Sequence, residues 1–308
     1  MSEYDLHCHS TCSDGADTPE ALVRLAAAGG LAGIALTDHD TTLGVEPAMA
    51  EGRRLGVEVI PGVEITCEER AFECHLLGYW VDLDPECELQ QLLANMRRSR
   101  TQRAREILRR LRALGVDITE AEVVQLHGPH AVGRPHIAAA LVEKGYAPTV
   151  RLAMRRYLGK TSPAYVPRLR VTPEEGVAAI RASGGVAVYA HPGIVGLDPI
   201  IERLVPVGLA GLEAHYPEHT EADTARYAGM AHRLGLVVTG GSDYHGLRGS
   251  RHVPLGAVSV DRNVVEALAA LRLQGMSRIP SPLGEDAIAV PESAVLGGRP
   301  APGGCRLG

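Results

Sequence analysis

The sequence predicts an α/β fold, a sheet or barrel of about seven strands with a helical insertion. Three observations carry this expectation. Short β-rich runs recur at residues 4–8, 33–37, 57–65, 74–80, 186–190, 210–214 and 236–240. Helical patterns follow them, and such alternation favours a parallel sheet or barrel. The alternation then breaks over residues 85–165, where apolar residues repeat at helical spacing instead. With 308 residues, 45% of them hydrophobic, the chain can bury a core and is expected to form one large domain with an insertion.

In chain order, the first helix is expected after Thr18. This residue is a cap type, Pro19 suits the first helical position, and Gly29 and Gly30 stand past the end. Thr172-Pro173-Glu174-Glu175 repeats the start signal later. In the insertion, Leu89, Leu92, Leu93, Met96, Ala104, Ile107, Leu108 and Leu111 mark one helix, and a second runs from Pro135 to Lys144 before Gly145. Residues 1–84 and 166–280 are expected to form the barrel and 85–165 the insertion. Residues 281–308, rich in Pro, Gly and small residues, are expected to be a disordered tail.

Composition narrows the function classes. The net charge is -6, without the basic excess usual in proteins that coat duplex nucleic acid. No apolar run reaches the roughly 18 residues of a membrane span. The first residues lack a signal-peptide pattern, and the six cysteines form no CxxC pair, so a reduced, cytoplasmic chain is expected. The arginine-rich run from Arg97 to Arg112 keeps its apolar residues on one helical face and reads as a solvated amphipathic helix. One Phe and one Trp are a poor supply of stacking platforms. Tyr216 and Tyr244 sit beside site motifs and are candidates to stack on a base.

The candidate ligands fall at strand ends. His7 and His9, two apart on a strand, share a face. Asp14 follows in a loop, His39 comes after the second strand, and Glu64 is placed at the end of the third. His75 lies on the fourth, His191 after the fifth, and Asp243 and His245 after the last. A lone strand histidine is more often a satisfied core residue than a ligand. Nine candidates at one end of successive strands instead match the catalytic rim of α/β barrels. Imidazole and carboxylate suit Zn, Mn or Fe. Clustered ions lower the pKa of a bound water and neutralise charge on a phosphoryl group.

These motifs are Asp5-Leu6-His7-Cys8-His9-Ser10, Leu36-Thr37-Asp38-His39-Asp40, Gly62-Val63-Glu64, Ala190-His191-Pro192-Gly193 and Gly241-Ser242-Asp243-Tyr244-His245. In this order they resemble the PHP (polymerase and histidinol phosphatase) family. More narrowly, residues 4–280 resemble its stand-alone metal-dependent phosphoesterases, which include 3',5'-nucleoside bisphosphate phosphatases. The resemblance implies a distorted seven-stranded (β/α) barrel of PHP type and three divalent metal ions, Mn, Fe or Zn. It assigns His7, His9, Glu64 and Asp243 to the first ion, Glu64, His75 and His191 to the second, and Asp14, His39 and His245 to the third. Asp40 is expected to orient a neighbour rather than bind metal.

Gly133-Arg134-Pro135-His136 reads as a helix start, where backbone N–H groups favour anions and arginine can grip phosphate bidentately. In related enzymes this segment lies over the metals, which implies phosphate-binding and catalytic roles for Arg134 and His136. His219, placed at the opening of a helix after the sixth strand, is a candidate proton donor to the leaving group. His215 is less promising, and His127, His130, His232 and His252 read as structural or surface residues.

The function expected is a phosphomonoesterase that removes the 3'-phosphate of a nucleoside 3',5'-bisphosphate by attack of a metal-activated hydroxide. The alternatives are a phosphodiesterase acting on a cyclic phosphate or a 5'-3' exoribonuclease on short RNA. Histidinol phosphate phosphatase fits less well, as do a C–N hydrolase and a non-catalytic module. The expected partner is a small phosphorylated substrate, a nucleotide or a short single-stranded RNA end, with neither duplex nucleic acid nor membrane.

Overall fold

A computed structural model describes residues 3–70, 72–127, 133–167, 169–246 and 253–276. The chain begins with β1 (Glu3–Cys8), α1 (Pro19–Ala28), β2 (Gly33–Leu36), α2 (Val45–Leu55), β3 (Glu58–Glu69) and β4 (Phe72–Tyr79). Helices α3 (Glu88–Ala113), α4 (Glu120–His127), α5 (Arg134–Glu143) and α6 (Val150–Ala153) follow, the last running into a π-helical turn, Met154–Leu158. Alternation resumes with α7 (Pro173–Ala182), β5 (Val186–Tyr189), α8 (Pro192–Val195), α9 (Asp198–Leu204), β6 (Leu209–His215), α10 (Glu221–Leu234) and β7 (Val237–Gly240). A two-residue β8 (Val260–Asp261) and α11 (Arg262–Met276) complete it. The tail expected at 281–308 lies outside the described residues, as do His130, His252 and the side chain of His127.

Local signals set the helix starts. Thr18 Oγ1 accepts the Ala21 N–H at 3.2 Å. Thr172 and Glu175 exchange a reciprocal pair of bonds at the start of α7, satisfying N–H groups that the helix itself leaves unpaired.

The strands form one sheet in the order β7-β6-β5-β4-β3-β2-β1-β8. It curls towards closure, because Tyr244, just after β7, bridges Cys8 in β1 and its carbonyl accepts the His9 N–H at 2.9 Å. The barrel-like α/β architecture is as the sequence predicts, with two differences. An eighth strand, β8, pairs antiparallel with β1. The sheet is also mixed, since β4 runs antiparallel to both β3 and β5. The β3–β4 link is too short for the crossover that a parallel pair requires.

That hairpin also changes the placing of Glu64. It does not end the third strand, because β3 continues to Glu69 and pairs Glu64 with Leu77 and Thr66 with His75. Reversal of β4 brings its early residue His75 to the end where the parallel strands finish. On this face of the hairpin, buried Ile60, Leu77 and Tyr79 give way towards the rim to Glu64 and His75. The other face turns Val63, Ile65 and Leu76 to a separate cluster with Val177, Ile180 and Tyr227.

Helix α3 joins two cores. Leu89, Leu93 and Met96 pack into the β3–β4 cluster. Ile107, Leu108 and Leu111 pack with Ile137, Leu141 and Leu158 in a cluster that no strand residue joins. Among the described residues no helix is long and apolar enough to cross a membrane.

Candidate metal centre

Glu64 is the centre of the rim. Its side chain is fully buried and five imidazoles surround it. Oε2 lies 3.3 Å from His7 Nε2, 3.2 Å from His9 Nε2 and 2.9 Å from His39 Nδ1. Oε1 lies 2.7 Å from His75 Nδ1 and 3.1 Å from His191 Nε2. Asp243 Oδ1 is 3.3 Å from His7 Nε2 and 3.1 Å from His9 Nε2. Asp14 Oδ1 is 3.2 Å from His245 Nε2.

Three sets of ligand atoms each fall within 4.8 Å of one another: His7, His9, Glu64 and Asp243; His9, Asp14, His39 and His245; and His39, Glu64 and His75. Eight of the nine expected ligand residues therefore fall in these sets. The grouping differs from the expectation in detail, since His9 and His39 each join two sets. His191 stands beside the third set through Glu64 rather than inside it.

The donor set fits divalent cations. Among the described residues, buried His7 Nε2, both ring nitrogens of His9, His39 Nδ1, His75 Nδ1 and Glu64 Oε2 have no hydrogen-bond partner. Buried polar atoms are ordinarily paired, and orphans concentrated on facing imidazoles and a carboxylate mark a cation site.

Electrostatics tell the same story. Burial alone would lower the His7 pKa, but Glu213, Asp243 and Glu64 hold it well above the ordinary imidazole value. Burial likewise opposes the charged form of His75, yet Glu64 and Glu73 raise it to about 10. Burial would raise Glu64, but His39, His75 and His7 hold it well below the usual carboxylate range. Asp243 is held well below it too, against burial, by His7 and His9. The histidines would shed their protons on binding a cation, so affinity is expected to rise with pH.

Three residues that the sequence did not single out hold these ligands in place. Glu213 Oε1 lies 3.0 Å from His7 Nδ1, and its Oε2 accepts the His191 N–H at 2.8 Å. Asp38 accepts from Ser10 N–H, Ser10 Oγ and Ser13 Oγ at 2.6–2.7 Å. Asp5 accepts from the main chain of His7, Ser242 and Gly256. The local backbone is unusual: Asp40, His191 and Asp243 have φ of 53°, 28° and 51°. Such conformations cost energy and gather where a site over-determines them. Gly241 admits no side chain, because a Cβ there would stand 2.4 Å from His7 Cβ.

A cavity of about 360 Å³ opens beside the cluster, lined by Asp14, His39 and His75 on the strand side. Arg134, Pro135 and His136 at the start of α5 line it too, as do Arg100 and Arg103 of α3. His136 Nδ1 accepts the Gly133 N–H at 3.1 Å, which places the proton of a neutral ring on Nε2. Asp40 accepts the Thr66 N–H at 2.8 Å and pairs with Arg100, an orienting contact of the kind expected.

Three expectations fail in the geometry. His219 does not offer a proton: it precedes the α10 cap Thr220, its Nδ1 donates to the Ala214 carbonyl at 2.9 Å, and its Nε2 accepts the Gly193 N–H at 3.0 Å. Main chain thus occupies both ring nitrogens. Tyr244 is no stacking platform, being buried with its hydroxyl donated to Asp17. Tyr216 is buried as well and donates to Asp243 Oδ2 at 2.8 Å.

A family model described as PHP domain matches residues 5–168. The chain belongs to the PHP domain family. It is 36% identical over 246 residues to a phosphoribosyl 1,2-cyclic phosphate 1,2-diphosphodiesterase of Eggerthella lenta, covering 79% of this chain and 94% of the relative. A 3',5'-nucleoside bisphosphate phosphatase of Chromobacterium violaceum is 35% identical, with 80% and 88% covered. The 5'-3' exoribonuclease Rnm of Escherichia coli is also 35% identical, with 79% and 85% covered. Among solved structures, a candidate metal-dependent phosphoesterase from Bifidobacterium adolescentis superposes with a TM-score of 0.75 at 32% identity, covering 87% of this chain and 96% of that one. These PHP relatives share phosphoric ester hydrolysis, and this chain is an enzyme of that class.

Proposed function

We infer that this protein is a metal-dependent phosphomonoesterase that removes the 3'-phosphate of a nucleoside 3',5'-bisphosphate. The observation that carries the reading is the facing of two walls across one cavity. Asp14, His39 and His75 of the orphaned ligand cluster stand on one wall, and Arg134 and His136 at a helix start stand on the other. Three divalent ions, Mn, Fe or Zn, would be held by His7, His9, Asp14, His39, Glu64, His75, His191, Asp243 and His245. When bound they supply a hydroxide at neutral pH and neutralise phosphoryl charge.

The chain's own residues do the rest. Arg134 grips a non-bridging phosphoryl oxygen, and among the described residues nothing else holds its guanidinium. The α5 N-terminus adds N–H groups with a favourable dipole. His136, with Nδ1 committed to Gly133, presents Nε2–H to the phosphate or to the departing oxygen. Glu213 keeps the His7 ring and the His191 backbone aligned. A small phosphorylated substrate, or a short RNA end, suits a cavity of this size better than a duplex.

A second reading, phosphodiester cleavage of a cyclic phosphate, draws support from the equally similar Eggerthella lenta relative. The test is phosphate release by the Mn-loaded protein from 3'-phosphoadenosine 5'-phosphate, beside 5'-AMP, a cyclic phosphate and a short 5'-phosphorylated RNA. Release from the bisphosphate alone is the expected result. Cleavage of the cyclic ester or the RNA without release from the bisphosphate would move the activity to phosphodiester hydrolysis.

A further inference from the structure

The turn that carries His191 is held by a residue outside the candidate ligand set. His191 follows β5 and is the N-cap of α8, with φ of 28° and ψ of 59°. Side chains rarely adopt this conformation, and it persists only where the surroundings impose it. Helix α8 is four residues long, and Pro192 has no N–H. The turn therefore leaves two N–H groups beside the ligand, on His191 and Gly193, for outside acceptors. Strand β6 and the loop after it supply both. Glu213 Oε2 accepts from His191 at 2.8 Å, and His219 Nε2 accepts from Gly193 at 3.0 Å.

His219 is itself fixed. Its Nδ1 donates to the Ala214 carbonyl at 2.9 Å, and the Tyr216 and Tyr227 rings flank it at centroid distances of 5.2 and 5.4 Å. Tyr216 also lies 5.1 Å from the His191 ring. Gly193 leaves room for the imidazole, because a Cβ there would stand 2.7 Å from His219 Nε2.

We propose that His219 is a positioning residue for His191. Through the Gly193 N–H it fixes the strained turn that holds His191 Nε2 3.1 Å from Glu64 Oε1, and so governs the affinity for a cation that His191 would ligate. This rests on the reading of His191 as a metal ligand and deepens it. The competitor is a strap, in which the Ala214 bond merely ties the start of α10 to β6.

Two conservative variants separate these roles. His219→Gln can place an amide oxygen where Nε2 accepts from Gly193, whereas His219→Asn reaches only the Ala214 carbonyl. Manganese affinity of the metal-free proteins is measured by competition with a chelator, with His191→Ala as the reference for loss of the ligand. His219→Asn should weaken about 10- to 100-fold the ion that His191→Ala weakens. The other ions in that variant, and every ion in His219→Gln, should stay within about 2-fold of wild type. Gly193→Ala should cost as much as His219→Asn, and the two together should add less than about 2-fold, because the new Cβ then meets no imidazole. Equal affinities in His219→Gln and His219→Asn overturn the inference, as do losses that multiply in the double variant. Unchanged manganese binding in His191→Ala removes the ligand reading itself. Loss there without loss in His219→Asn removes the positioning role alone.

Discussion

The strand side and the helical side of the cavity are built in different ways. On the strand side His7, His9 and Glu64 are fully buried, with Glu213 behind His7 and Asp38 bonded to the Ser10 turn that follows His9. On the helical side the Arg100 side chain remains 36% exposed, and Arg103 and Arg134 are half-buried. Arg134 is carried by α5, which packs in the helical cluster, and the other two by α3, which joins that cluster to the core of the sheet. A desolvated cluster cannot be rearranged cheaply, because each unpaired buried charge carries a large penalty. Half-exposed arginines can change partner at little cost. The proposed function therefore rests its chemistry on the strand side and its contacts to the substrate on the helical side.

The largest test of this division is Glu64→Gln. One carboxylate contacts five histidines, so metal content and activity should both collapse, activity by more than about 100-fold, the upper range for outer contacts. Elemental analysis beside a phosphate-release assay reads both, and retention of either would break the assignment. Next comes Arg134→Ala on the opposite wall, which should lower kcat/KM about 10- to 100-fold while bound metal stays at the wild-type level. Loss of metal in that variant would erase the distinction between the two walls. Glu213→Gln should weaken metal binding about 10- to 100-fold, measured by competition with a chelator, and restore turnover at saturating metal.

The smallest effect belongs to the outer surface of the helical segment. Glu122 accepts from Lys144 at 2.8 Å and from the Thr119 N–H and hydroxyl. These contacts, Lys144 first, pull its carboxyl from 4.5 down to about 2. A depressed acid stabilises the folded state above its unfolded pKa, and that contribution is lost as pH falls from 4.5 through about 2. Glu122→Gln should lower the melting temperature slightly at pH 7, not at pH 2, and leave activity unchanged. An activity change would couple this surface to the cavity.

The sequence by itself determined seven of the eight strands, the starts of α1, α5 and α7, and the nine candidate ligands. Thr18-Pro19 and Thr172-Pro173 act through neighbouring residues alone, and His7-x-His9 shares a face by strand geometry. Tertiary structure decided what depends on distant partners. The reversal of β4, which carries His75 to the rim, follows from hairpin pairing rather than from any run of residues. Glu213 reads in sequence as an acid in an apolar strand, and only the closing sheet places His7 against it, 206 positions away. Arg100 and Arg103 sit in a run where solvent-facing arginines have the same periodicity, so only the position of α5 and β4 separates lining from surface. His219 turned inward because Ala214 and Gly193 offered both ring nitrogens a bond. Local propensity and pattern are written in adjacent residues, whereas pairing across a fold depends on contacts that adjacent residues do not encode.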